Sequence, residues 1–166
     1  MHTAAAQKNR DLLKIGQVAR ELDIAVETIR MYETAGLIVP QKTASGQRLF
    51  DADDVHWLNC IRRLIKEQGM NLEGIRRLLA LMPCWSIKPC TLRDQKICPA
   101  TSKAEQPCWT MKDKLPDICK NADCRQCAVY QSASECTNLK TLLYRFKTEE
   151  PNDKDKIADP RPQHRR

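Results

Sequence analysis

A chain of 166 residues and 19.1 kDa has room for one medium domain or two small ones, which excludes the larger catalytic folds built around a deep cleft. It has no run of eighteen apolar residues, and its opening MHTAAAQKNRDLLK lacks an apolar stretch of signal-peptide length, so a soluble cytoplasmic protein with no membrane partner is expected. The net charge of +7 suits a polyanionic partner, yet residues 1–82 hold 12 basic against 10 acidic side chains and residues 83–148 hold 11 against 6, so charge placement matters more than the total.

Residues 1–12 are expected to be a disordered tail. Apolar residues at Ile15, Val18, Ala19 and Leu22 recur three and four apart and predict a first helix that breaks around Asp23. A second helical face runs through Val26, Ile29 and Tyr32 and stops at Gly36, where glycine can take the left-handed conformation that closes a helix. Two such short helices, crossed, present one of them outward, which is the helix-turn-helix arrangement whose second helix enters the DNA major groove. Leu37–Val39 reads as a strand ended by Pro40. Thr43–Gly46 reads as a turn, and Gln47–Phe50 alternates as a second strand would, so a wing hairpin is expected beside the second helix.

These residues carry a resemblance. The run TIRMYETAGLI, then a proline, then SGQRLFDADDV, resembles the DNA-binding head of the MerR-type transcriptional regulators, and GMNLEGIRRLL is similar to the subgroup containing that family's heat-shock repressors. The resemblance covers about residues 14–82. It implies a sequence-specific binder of double-stranded promoter DNA, working as a homodimer, with RNA polymerase as a further partner at the promoter and no catalytic activity. Most members activate by untwisting an overlong promoter spacer, whereas the heat-shock-like subgroup represses by occupancy, and the sequence leaves both open.

Thr28 and Arg30 fall near the exposed side of the second helix, and Lys42 and Arg48 flank the wing turn, where long side chains reach phosphates. The resemblance implies backbone-phosphate contacts for Arg30 and Arg48 and a backbone contact for Tyr32, although Tyr32 and Phe50 also suit a core. Met31 and Gln47 depart from the commonest family pattern.

Beyond the wing, Asp51 is placed to cap a third helix with the stripe Val55, Leu58, Ile61, Leu64 and Ile65, which breaks at Gly69. Asn71 is placed to cap a fourth with Leu72, Ile75, Leu78, Leu79 and Met82 inward. Cys60 suits a buried apolar position and His56 a helix surface. The adjacent pairs Arg62, Arg63 and Arg76, Arg77 suit either a phosphate-facing surface or a solvated face.

At Pro83 the chain departs from the family, whose members continue into a long dimer helix. Residues 83–136 instead hold eight of the nine cysteines: Cys84, Cys90, Cys98, Cys108, Cys119, Cys124, Cys127 and Cys136. A segment so poor in large apolar residues needs a staple. The reducing cytosol argues against permanent disulfides. Thiolate-bound zinc, an iron-sulfur cluster and a metal-free redox switch remain, with all eight cysteines as candidate ligands and the Cys124-x2-Cys127 pair the most chelating. The order Cys84-Trp85, Cys98-Pro99, Cys108-Trp109, CRQCAVY is similar to a small bacterial module with two Cys-Trp pairs, and Trp85 and Trp109 would supply its core. Met82-Pro83 would then be the only joint through which the module turns the head.

Leu139, Leu142, Leu143 and Phe146 predict a packing or dimer helix over 137–148, and 149–166 is expected to be disordered. The fold expected is mainly α, a winged helix-turn-helix head of four helices plus a hairpin at 13–82, followed by an irregular metal-stapled cysteine module at 83–136. A small redox enzyme would need acid-base groups converging on a cleft, and the cysteine region offers carboxylates such as Glu105, Asp113, Asp117 and Asp123 but no histidine. A structural or adaptor protein with a silent zinc module is the remaining alternative.

Overall fold

The computed structural model describes residues 11–88, 90–103 and 105–135. Cys136, the expected helix at 137–148 and most of both expected tails lie outside the described residues.

The head follows its periodicity. Strand β1 (Leu13–Lys14) leads directly into α1 (Ile15–Glu21), and α2 (Val26–Thr34) follows after a turn in which Asp23 takes φ +50°. Strands β2 (Gln41–Lys42) and β3 (Arg48–Phe50) bracket the wing turn, where Gly46 has φ +80°. Helix α3 (Ala52–Lys66) starts at a reciprocal capping box: Asp54 N donates to Asp51 Oδ1 and Asp51 N to Asp54 Oδ2, each at 3.0 Å. Asn71 caps α4 (Leu72–Ala80) by accepting from Gly74 N at 2.7 Å. Val18, Ile29, Phe50, Leu58, Ile61 and Ile75 close the core.

Two features of the wing differ from expectation. The hairpin is a three-stranded sheet ordered β1-β3-β2, with Leu13 opposite Phe50 and Lys42 opposite Arg48. A two-residue β1 is too short to leave a period in the sequence. Leu37–Val39 is not a strand. Leu37 and Ile38 are consecutive and both buried, so neither alternates outward as a strand on this sheet would, and the strand forms two residues later at Gln41.

The cysteine-rich segment consists of short helices: α5 (Cys84–Ile87), α6 (Leu92–Ile97), α7 (Pro99–Ser102), α8 (Asp117–Lys120) and α9 (Ala128–Ser134). Single 3-10 turns lie at Cys108–Thr110, Lys112–Lys114 and Cys124–Gln126. It does not hang from Met82-Pro83 alone. Trp109, Val129, Tyr130 and Ala133 belong to the same buried cluster as the head's helices, and α9 packs on α3. The segment's separate core is small, made of Cys98, Ala100, Met111 and Leu115. Part of the missing apolar area is thus borrowed from the head. Neither tryptophan supplies the segment's own core as expected: Trp109 is buried in the head's cluster, and Trp85 is 44% exposed.

Candidate nucleic-acid interface and thiol cavity

Helix α2 turns Glu27, Arg30, Met31 and Thr34 outward and leaves Thr28 half-buried, while Ile29 and Tyr32 point to the core. Arg30 lies 3.9 Å from Glu27 in an exposed i,i+3 pair, which holds it only weakly. Tyr32, expected to touch the DNA backbone, is 4% exposed, so its ring is core and at most its hydroxyl reaches the surface. Burial raises that hydroxyl's pKa above the ordinary phenol value, against the opposing charge of Arg62.

The two wing cations are brought to the recognition helix by a residue that sequence reasoning missed. Glu33, on α2, accepts from Arg48 Nε on β3 and lies 3.2 Å from Lys42 Nζ on β2. Lys42 is over half exposed, and Arg48 has further guanidinium donors, so both retain capacity for phosphate. Of the paired arginines, Arg62 donates to Leu22 O at the end of α1, and Arg76 and Arg77 both bind Glu73. These three serve packing and surface pairing.

Seven cysteines, Cys84, Cys90, Cys98, Cys108, Cys119, Cys124 and Cys127, are free thiols, and all seven line one apolar cavity of about 50 Å³. Trp85, Trp109, Leu115, Pro116 and Tyr130 complete its wall. Among the described residues no three His, Cys, Asp or Glu side chains already converge as a metal ion would need. The donor set nevertheless suits a thiophilic centre: soft sulfur atoms around a largely apolar hollow. Burial pushes the Cys84 thiol up to about 11 and Cys108 up to about 12, and the neighbouring thiols push in the same direction. Such thiols stay protonated and unreactive near neutrality unless a cation offsets the charge. Cys60 is not among these free thiols: buried on α3, it is disulfide-bonded, a bridge the reducing cytosol had argued against, and its Sγ lies 3.7 Å from His56 Nε2, while His56 itself is exposed as expected.

Between the two sites lies the segment Gly36–Val39, which joins α2 to the wing. Gly36 O accepts from Trp109 Nε1 at 2.8 Å and Leu37 O from Trp57 Nε1 at 2.7 Å. Val39 N donates to Tyr130 Oη at 2.9 Å, and Val39 O accepts from Arg125 Nη1 at 2.6 Å. The main chain therefore finds side-chain partners in place of a strand ladder. Gly36 has φ +73°, and a Cβ there would meet Thr110 Cγ2 at 2.3 Å, so the glycine is required by both conformation and close approach. Arg125 also binds Asp54 through both its terminal nitrogens, at 2.9 and 2.8 Å, and Asp51 at 3.1 Å. Burial pushes the Asp54 carboxyl above its ordinary value, while the Arg125 guanidinium and the Asp51 amide pull it down. Trp57, Tyr130 and Arg125 carried no periodic or spacing signal for these roles, because their partners are main-chain atoms or residues 71 to 91 positions away, or, for Trp57, 20.

Comparison with known proteins agrees with the geometry of the head. Residues 13–81 match the family described as MerR HTH family regulatory protein. The chain is similar to the HTH-type transcriptional regulator HmrR of Sinorhizobium medicae, 40% identical over 70 residues, which are 42% of this chain and 47% of that one. It is 37% identical over 70 residues to heavy metal-dependent transcription regulator 2 of Rhizobium meliloti, 42% of this chain and 47% of the relative. It is 36% identical over 55 residues to heat shock protein HspR of Streptomyces coelicolor, 33% of this chain and 36% of the relative. The chain thus spans less than half the length of each, and these matches do not independently identify the cysteine-rich segment. No solved structure matches the chain. Among the described residues no helix is long and apolar enough to cross a membrane.

Proposed function

We propose that this chain is a MerR-type, DNA-binding transcriptional regulator of the cytoplasm, without catalytic activity, that acts as a homodimer on promoter duplex. The observation that carries the reading is the match of residues 13–81 to the MerR family, with the α2 face and wing cations outward. A head this small reads few base pairs, and two-fold pairing doubles the site. Thr28, Arg30, Lys42 and Arg48 are the DNA-facing residues, with the Tyr32 hydroxyl at the edge of the surface. Charge reversal at Arg30 or Arg48 is expected to weaken binding to specific and nonspecific duplex alike and to lower the salt slope by about one per lost phosphate contact. Titrations indistinguishable from the unaltered protein would remove both residues from the interface.

The input in this reading is the thiol cavity, holding a thiolate-bound zinc ion or an iron-sulfur cluster, or switching by thiol oxidation. Support comes from the seven free thiols around one apolar hollow. A bound centre would supply the positive charge that lets these thiols ionise and would add its binding energy to folding of the segment. Elemental analysis of protein purified without oxygen distinguishes the forms: iron with sulfide and a brown colour means a cluster, colourless zinc an ion site. Free thiols with neither metal, and DNA binding indifferent to oxidant, would refute the cavity as input.

A further inference from the structure

The turn Cys124–Gln126 has two faces. Cys124 and the following Cys127 line the thiol cavity, and Arg125 between them leaves it in the opposite sense, toward the head. Its main chain is held in place: Arg125 N donates to Asp123 Oδ1 at 2.9 Å, Arg125 O accepts from Gln131 Nε2 at 3.2 Å, and Cys127 N donates to Cys124 O at 3.1 Å. Its guanidinium is fixed at the far end by the two carboxylates that cap α3 and by Val39 O, and is only 15% exposed.

The geometry points to Arg125 as the positioning residue through which the state of the thiol cavity sets the placement of the wing and the recognition helix. This rests on the reading of the cavity as input and the head as DNA reader. Among the described residues no three of these thiols already converge, so drawing the Cys124 and Cys127 sulfurs onto one centre moves the turn that carries them. A planar fork held by two carboxylates and a carbonyl cannot follow a rotation of its main chain without moving those groups or breaking from them. The groups it holds are the start of α3 and Val39, two residues before strand β2 and three after the glycine that closes α2. Tyr130, three residues beyond Cys127, grips the Val39 amide, and its ring meets Trp109 edge-on at 5.1 Å. Trp109 follows Cys108 and holds Gly36 O. The thiol-bearing turns therefore end on the short segment between the two DNA-facing elements, and Arg125 reaches the α3 cap as well.

The test uses the full chain, chelator-stripped or loaded with zinc alone, with a duplex carrying its own promoter region. In the unaltered protein the ratio of DNA affinities in the two states is expected between about 5- and 150-fold, the range of coupled sites, with Val39 amide exchange changing between states. Arg125→Lys keeps a charge against Asp51 and Asp54 but loses the fork; Arg125→Met loses both. Either variant, folded by near-ultraviolet dichroism, is expected to bind the same zinc per chain while its affinity ratio falls toward one and its Val39 exchange no longer responds. A variant keeping the full ratio overturns the role of Arg125 and leaves the cavity as input intact. If unaltered protein binds zinc with no change in DNA affinity, the coupling falls and the DNA-binding head stands. If it binds no zinc and ignores oxidant, the input reading falls with it. Should Arg125→Met fail to fold, Arg125→Lys decides alone.

Discussion

The head and the cysteine-rich segment are built by opposite means. In the head, α1 to α4 each bring an apolar stripe, and the stripes meet in one buried core to which Trp109, Val129, Tyr130 and Ala133 add. In the segment, helices of four to six residues bury little, and it is the seven-residue α9, together with Trp109, that reaches into the head's core, Trp109 and Tyr130 also walling the thiol cavity. What remains at its centre is a ring of thiols. A segment folded this way depends on what it leans on and on what it holds, which is the property a responsive element needs.

That contrast breaks most readily at Trp109. Trp109→Ala removes a buried indole and the donor to Gly36 O, and is expected to cost about 3–5 kcal/mol in urea unfolding, with exchange protection lost first in residues 105–135. A cost below about 1 kcal/mol, or loss spread evenly over the head, would mean the segment does not rely on the shared core.

A smaller effect is expected where the two regions touch main chain to side chain. Gly36→Ala places a Cβ at φ +73° and against Thr110 Cγ2; the conformation alone costs about 1–2 kcal/mol, and the overlap adds to it. Thr110→Ser removes that methyl, so the double variant should recover the overlap and retain the conformational cost. A double-mutant cycle with no coupling would show that α2 and the 3-10 turn at Cys108–Thr110 are not in contact in solution.

An effect read against pH concerns the thiols themselves. Burial holds Cys84 and Cys108 protonated to about 11 and about 12, above the ordinary thiol value. Folded values raised in this way contribute stability that is complete below the unfolded thiol pKa of about 8.5 and is lost as pH rises toward those folded values. Metal-free, reduced protein should therefore show a urea midpoint that is flat from neutrality to about pH 8 and then falls, with Cys108 among the last thiols alkylated. A midpoint unchanged to pH 10, or Cys108 reacting first, would place these thiols outside a buried cavity.

Much of the head was legible because its signals are local. The four apolar stripes, the caps at Asp51 and Asn71 and the turns at Gly36, Gly46 and Gly69 each depend on residues within a few positions, and the structure places them where the pattern does. The gathering of cysteines was legible as a count, and Arg30 and Lys42 as exposed cations, whereas Arg48 is half-buried against Glu33. Three readings failed for a common reason. Leu37–Val39 looked like a strand because an apolar run does not say whether its main chain will meet a ladder or side chains. Trp85 and Trp109 looked alike because each follows a cysteine, yet only one faces the head. Met82-Pro83 looked like the sole joint because contacts between distant segments leave no period.

The sequence by itself determined the helices of the head, the outward face of α2, the wing turn and the presence of a thiol-rich segment, since propensity, capping and periodicity act over one or two turns. Only the tertiary structure decided that Glu33 ties both wing cations to the recognition helix, that seven thiols share one cavity, and that Trp109, Tyr130 and Arg125 hold the Gly36–Val39 segment. Those pairings join groups 9 to 91 residues apart. Which distant partner a buried donor or carboxylate finds is set by how the helices pack, because a buried polar group must be satisfied by whatever the packing brings to it.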